Sequence, residues 1–252
     1  MQPEIQIGPL ELKTFGLCFA AGFLFAAAVL VRHFKEIGKP PDWAYEMIFA
    51  GLVGGIVGSR VDFLIQNWDD VSDDLFGNLF SGTGLVWFGG LVGGAIGVVL
   101  WAWRRGFLGV QLLDVAAVPL ALGYAVGRVG CQLSGDGDYG VASDLPLAMA
   151  YPDGTVSTTA EVHPTPIYES LAMGLVALVL WRLRGRLVAG AVFALYLVAA
   201  GVERLLVEFI RRNDDVALGL TLAQLVSVAM IAVGAAWLAQ IRGDLVQTRQ
   251  AG

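Results

Sequence analysis

Charge is scarce in this chain. Asp, Glu, Lys and Arg supply 15% of its 252 residues, against about 25% in an ordinary soluble domain. Basic charge is scarcer still: the formal net charge is −6, so no basic face is on offer to the phosphates of a duplex, and no nucleic-acid partner is expected. Cysteine occurs only at Cys18 and Cys131, too seldom for a disulfide framework or a cysteine metal cluster. Each is expected to be a small buried hydrophobe, and no metal or other cofactor is expected. Histidine is as rare, at His33 and His163. The first stretch, MQPEIQIGPLELKTFG, has no basic n-region and no small-residue cleavage site, and is not expected to be a signal peptide.

What the chain has instead is apolar surface. Hydrophobic residues make up 56% of it, glycines number 33, and the mean hydropathy is +0.68. A spanning helix needs about 20 mostly apolar residues. Runs of that kind fall at 14–32, 44–67, 82–103, 111–133, 165–182, 188–210 and 218–241. The expectation is an all-α, polytopic membrane protein of about seven transmembrane helices, folded as a single membrane domain over 1–252. Arg32, Lys35, Lys39, Arg104, Arg105, Arg182, Arg184, Arg186, Arg242 and Arg249 fall on one side of these spans. That side is therefore cytoplasmic, the N-terminus is periplasmic and the C-terminus cytoplasmic. The other side is acidic and carries the long segment 134–164, whose prolines and glycines read as a surface loop over the mouth of a cavity.

Charges inside spans are expensive and mark functional sites by default. Arg60, Arg128 and Arg204 lie toward the outer ends of the second, fourth and sixth spans. Arg204 is about 9 Å below the end of its helix at 1.5 Å of rise per residue, and the other two sit at comparable depth. Glu208 follows Arg204 by one helical turn and shares its face. Arg211, with Arg212, reads more readily as an interfacial cation. Guanidinium is a planar fork of donors matched to phosphate, so a layer of arginines under the outer surface points to a phospholipid-binding cavity open to the outer leaflet. Charges on one side only argue against a transporter, which needs ionisable groups at the midplane. Gly89, Gly90 and Gly140 admit either close helix packing or close approach to a ligand. In HPTPIYES, His163 reads as a hydrogen-bonding residue before a catalyst, Tyr168 lies in the first turns of the fifth span, and Glu169 is a helix-end charge or a partner for an arginine. Asp136 and Asp138 read as a solvated acidic turn.

Arg128 with its flanking glycines, HPTPIYE, ERLLVEFIRRND and LTLAQLVSVAMI, in this order and with IGPLELKTFGLCFAAGF, GSRVDFLIQN and LPLAMAYPDG, resemble the prolipoprotein diacylglyceryl transferase family along nearly the whole chain. The resemblance implies a seven-helix enzyme of the bacterial inner membrane with its site facing the periplasm. It would move the diacylglyceryl group of phosphatidylglycerol onto the lipobox cysteine thiol of a prolipoprotein, entering as a signal-peptide helix. It implies Arg128 and Arg204 as catalytic residues and Arg60, Arg128, Arg204, Gly89, Gly90 and Gly140 as contacts to lipid and phosphate. His163, Tyr168, Glu169, Glu208 and Arg211 would support them. The chain departs from the family at Phe88, where a histidine is usual before the double glycine, and at Phe15, Ala200, Cys131 and Ser134. Asp136 or Asp138 then becomes a possible replacement base, and a non-catalytic phospholipid-binding paralogue is the alternative reading.

Overall fold

A computed structural model describes residues 1–68, 86–217 and 219–242. The acids at 69–74 and the first residues of the third expected span lie outside that set. Among the described residues seven long helices follow the apolar runs: α1 Thr14–Glu36, α2 Trp43–Gln66, α3 Trp87–Arg104, α4 Val110–Ser134, α5 Thr165–Leu183, α6 Ala191–Glu208 and α7 Leu222–Ile241. Five of them, α1, α2, α4, α5 and α7, are long and apolar enough to cross a membrane. Of the other two, α3 is apolar but shorter, and in α6 Glu203, Arg204 and Glu208 interrupt the apolar run.

The expectation of an all-α chain omits three small antiparallel hairpins. They are β1 (Glu4–Ile7) with β2 (Leu10–Lys13), β3 (Met149–Tyr151) with β4 (Thr158–Val162), and β5 (Asp215–Ala217) with β6 (Leu220–Thr221). All lie in segments between or before helices; EIQI and LELK alternate polar and apolar residues around a turn, while the other strands are too short or irregular to show a period. The segment 134–164 is not a featureless loop. Tyr139 stacks on Tyr151 at 4.8 Å between ring centres, and with Val162 they form a buried cluster of their own. The Tyr139 hydroxyl donates to the Val156 carbonyl at 3.1 Å, and the Tyr151 hydroxyl to Gln132 Oε1 of α4 at 2.9 Å. Gly135 and Gly137 take positive φ of 59° and 95° there, conformations that side chains with a Cβ rarely adopt.

The chain divides into two compact units, 30–112 and the remainder. In the unit of residues 30–112, α2 and α3 meet along glycines. A Cβ on Gly54 would strike the Gly93 carbonyl, and one on Gly58 the Gly89 carbonyl, so small residues at helical spacing bring the two backbones into direct contact. Ser59 and Asp62 of α2 complete this seam: the Ser59 hydroxyl donates to the Val86 carbonyl at 2.8 Å, and Gly89 N–H donates to Asp62 at 2.9 Å. One end of the unit is an aromatic cluster in which Phe34, Trp43, Trp101 and Phe107 pack edge to face, 5.6–6.4 Å apart.

The other unit holds α4–α7 and most of α1. Small side chains again set the spacing. Ala121 and Ala125 of α4, Met173 and Ala177 of α5 and Ala200 of α6 form one buried cluster, with Tyr124 and Tyr196 against it. Gly201 and Gly234 bring α6 close to α7, since Cβ atoms there would press on Ser227 O and Ala194 O. The start of α6 is fixed from outside: Asp114 of α4 accepts from Gly190 N–H at 2.6 Å and Phe193 N–H at 2.9 Å, satisfying donors that a helix N-terminus leaves open. The start of α7 is fixed by its own sequence. Thr221 and Gln224 form a capping box, each side chain satisfying the other's backbone N–H.

Candidate functional site: a buried arginine–carboxylate cluster

Glu169 lies in the second turn of α5 and is fully buried. A lone carboxylate there would be costly, and four donors surround it. Arg128 Nε of α4 reaches Oε2 at 3.1 Å. Arg204 Nη1 of α6 reaches Oε1 at 2.9 Å, and Arg211 Nη1, just beyond α6, reaches Oε2 at 3.5 Å. The Tyr124 hydroxyl donates to Oε1 at 3.0 Å. Tyr124 stands one turn before Arg128, and the guanidinium lies over its ring at 4.9 Å, an additional cation–π contact.

Two further carboxylates close the cluster. Asp138 bridges Arg128 and Arg211, one oxygen to each. Glu208 pairs with Arg204 at 2.7 Å across one helical turn, and its Oε1 accepts from Asn213 and from the Thr221 hydroxyl, both at 2.7 Å. Three guanidiniums and three carboxylates thus form one connected network. Burial works to raise the Asp138 carboxyl, but the neighbouring Arg128 and Arg211 guanidiniums outweigh it and hold it below the usual carboxylate range. An open polar cavity of about 350 Å³ adjoins this group, lined by Gly137, Asp138, Tyr139, Arg211, Arg212 and Asn213. Arg212 lies over the Tyr139 ring at 4.5 Å. Glu203, nine-tenths buried beside Arg204 on α6, has an Oε1 with no hydrogen-bond partner among the described residues.

Comparison with known proteins agrees with this arrangement. The sequence model of the family described as prolipoprotein diacylglyceryl transferase matches residues 3–240. A protein of Clostridium tetani named phosphatidylglycerol–prolipoprotein diacylglyceryl transferase is 31% identical over 241 residues, covering 93% of this chain and 95% of that one. Proteins of the same name from Idiomarina loihiensis and Dehalococcoides mccartyi are 32% and 33% identical, over 90% of this chain and 87% and 88% of theirs. The chain belongs to the prolipoprotein diacylglyceryl transferase family. Membership and the apolar helices together make it a multi-pass membrane protein.

Within this family member, the residues singled out from the sequence are sorted by their surroundings. Arg128, Arg204, Glu169, Glu208 and Arg211 meet in the cluster. Arg211 corrects the reading of an interfacial cation: its side chain is 9% exposed and engages two carboxylates. Asp138 likewise is more than a solvated turn residue: at the edge of the cavity it is clamped by two guanidiniums, which hold its carboxyl below the usual carboxylate range. Asp136 stands beside it and accepts from Asp138 N–H at 3.3 Å. Gly140 has a packing role, since a Cβ there would run into the Ile210 carbonyl, His163 and Thr165. Gly89 and Gly90 sit in the α2–α3 seam against Asp62 and Ser59. Arg60 is buried in α2, with its guanidinium over Phe63 at 5.1 Å. It belongs to the unit of residues 30–112, as do Phe88, Gly89 and Gly90. His163 stacks edge-on to Tyr168 at 6.2 Å, and its buried Nδ1 has no hydrogen-bond partner among the described residues.

Sequence reasoning missed Tyr124, Thr221 and Asn213. Two of these left a signal: Tyr124 precedes Arg128 by one turn, and TLAQ is a readable capping box.

Proposed function

We propose that the protein is a phosphatidylglycerol–prolipoprotein diacylglyceryl transferase of the bacterial inner membrane. It acts as one membrane domain of seven spans, N-terminus periplasmic and C-terminus cytoplasmic. Its substrates are phosphatidylglycerol and the lipobox cysteine of a prolipoprotein signal peptide. The sulfur attacks the glycerol carbon that carries the phosphate, a carbon–sulfur bond forms and the carbon–oxygen bond breaks. The electron pair leaves on the phosphate, which departs as glycerol phosphate with one more negative charge, and the thiol proton is released to water.

The observation that carries this reading is the meeting of Arg128, Arg204 and Arg211 around the buried Glu169. Donors held in place in a poorly solvated site stabilise charge as it develops on a leaving group, with little reorganisation. In this scheme Arg128, Arg204 and Arg211 surround the phosphate, Arg128 and Arg204 stabilising its departure, while Glu169 and Glu208 keep their forks aimed. The relatives' names are those of transferases, which does not favour the non-catalytic alternative.

The test is transfer of lipid from phosphatidylglycerol to a lipobox peptide by the purified protein, alongside complementation of a strain depleted of its own transferase. Activity in the wild type, lost in Arg128→Ala and in Arg204→Ala, is the expected result. A folded wild type that binds phosphatidylglycerol but never modifies the thiol overturns it.

A further inference from the structure

The two oxygens of Asp138 are divided between two arginines, one to Arg128 Nη1 and one to Arg211 Nη2. That is the pattern in which two non-bridging oxygens of a phosphate engage a pair of guanidiniums. Both arginines are mostly buried, with 16% and 9% of their side chains exposed, and Asp138 faces the open cavity of about 350 Å³ that Arg211, Arg212 and Asn213 also line. The backbone of Asp138 is tied down: its carbonyl accepts from the Thr165 hydroxyl at 2.6 Å and its N–H donates to Asp136 at 3.3 Å. Its carboxylate therefore moves by side-chain rotation alone, and the adjoining cavity has room for it.

We propose that Asp138 is a built-in competitor for the phosphate: its carboxylate occupies an anion site formed by Arg128 and Arg211, and a phosphate arriving from the adjoining cavity takes that site only by displacing it. This rests on the function proposed above and extends it to how the site fills and empties. Before lipid binds, the carboxylate keeps two like-charged guanidiniums close together without a ligand. When the headgroup enters, phosphate replaces carboxylate and the charge balance at the pair is conserved. After the carbon–oxygen bond breaks, the returning carboxylate competes with glycerol phosphate and hastens its exit toward Arg212 and Asn213. The ligand class is a phosphate ester, either the lipid headgroup or the free product.

An intramolecular competitor lowers apparent affinity by the fraction of time the site is left open. If Asp138 fills the site about nine-tenths of the time, removing its charge tightens binding by about tenfold. The experiment compares the full-length wild type with Asp138→Asn and Asp138→Ala, the second guarding against a folding defect peculiar to the first. One arm titrates glycerol phosphate in detergent; the other measures the KM for phosphatidylglycerol and product inhibition by glycerol phosphate in lipid nanodiscs. Tighter glycerol phosphate binding, a lower KM and deeper product inhibition in the variants are expected. Tighter binding confined to the first arm assigns the site to the free product; confined to the second, to the lipid. Unchanged or weaker binding in both arms, with wild-type transfer intact, overturns the inference and leaves the function standing. A wild type that binds neither phosphate overturns both.

Discussion

Replacing Glu169 by glutamine tests the arginine cluster at its centre. The carboxylate is fully buried and serves Arg128, Arg204, Arg211 and Tyr124 together. Glutamine keeps the shape but removes the charge and turns an amide N–H₂ toward a guanidinium that can only donate. Breaking a buried ion pair by removing one partner costs about 3–5 kcal/mol, because the surviving charge is left uncompensated. The guanidiniums here are 16%, 23% and 9% exposed, and Asp138 and Glu208 still neutralise part of their charge. The lower end, about 3 kcal/mol, is therefore the working value. Thermal unfolding in a mild detergent should show a drop of several degrees in Glu169→Gln. Steady-state transfer to a lipobox peptide should fall by about a hundredfold in kcat/KM, since 1.4 kcal/mol corresponds to a factor of ten. The exposed hairpin pair Glu11–Lys13 is the control, and Glu11→Gln should move neither readout, since solvent screens an exposed ion pair. A Glu169→Gln protein that melts with the wild type and keeps its kcat/KM would refute the premise that this carboxylate aims the arginines.

Thr221→Ala removes both the cap of α7 and a donor to Glu208; a loss of about 1–2 kcal/mol is expected in chemical unfolding, and Thr221→Ser should restore it. Gly58→Leu places a side chain where the Gly89 carbonyl lies, and should force α2 from α3, seen as rapid proteolysis of the folded protein. The lowered carboxyl of Asp138 contributes stability that is present above the unfolded carboxylate value of about 3.9 and is lost as pH falls through its lower folded value. In melts from pH 7 downward, the stability difference between wild type and Asp138→Asn should therefore shrink only at the acid end, and a difference that is constant with pH contradicts the assignment.

Helix positions were legible because lipid-length apolar runs leave little choice, and each helix of the structure begins and ends within a few residues of its expected span. The pairing of Arg204 with Glu208 was legible for a local reason, one helical turn. The junction at Glu169 was not. Its partners come from positions 128, 204 and 211, and the sequence distance between them carries no geometry until α4, α5 and α6 are packed through their alanines. Asp138 was hidden for another reason: an Asp in a glycine-rich segment has the composition of a solvated turn, and only the fold of segment 134–164 brings it against Arg128 and Arg211. The hairpins escaped because strands of 2–5 residues carry little pattern against apolar runs of spanning length, although EIQI and LELK do alternate. The glycines were read as open between packing and ligand contact, and what each missing Cβ makes room for becomes visible only with its neighbours in place.

The glycine seam of α2 and α3 has an entropic consequence. Most helix pairs interlock through side chains, and each such chain gives up rotamer freedom on packing, by up to about 2 kcal/mol for the longest. Where Gly54, Gly58, Gly89 and Gly93 meet, there are no rotamers to lose on folding and none to exchange afterwards. Such a joint cannot repack in response to a nearby change, so α2 and α3 behave as one stiff strut whose length and angle are set by backbone alone.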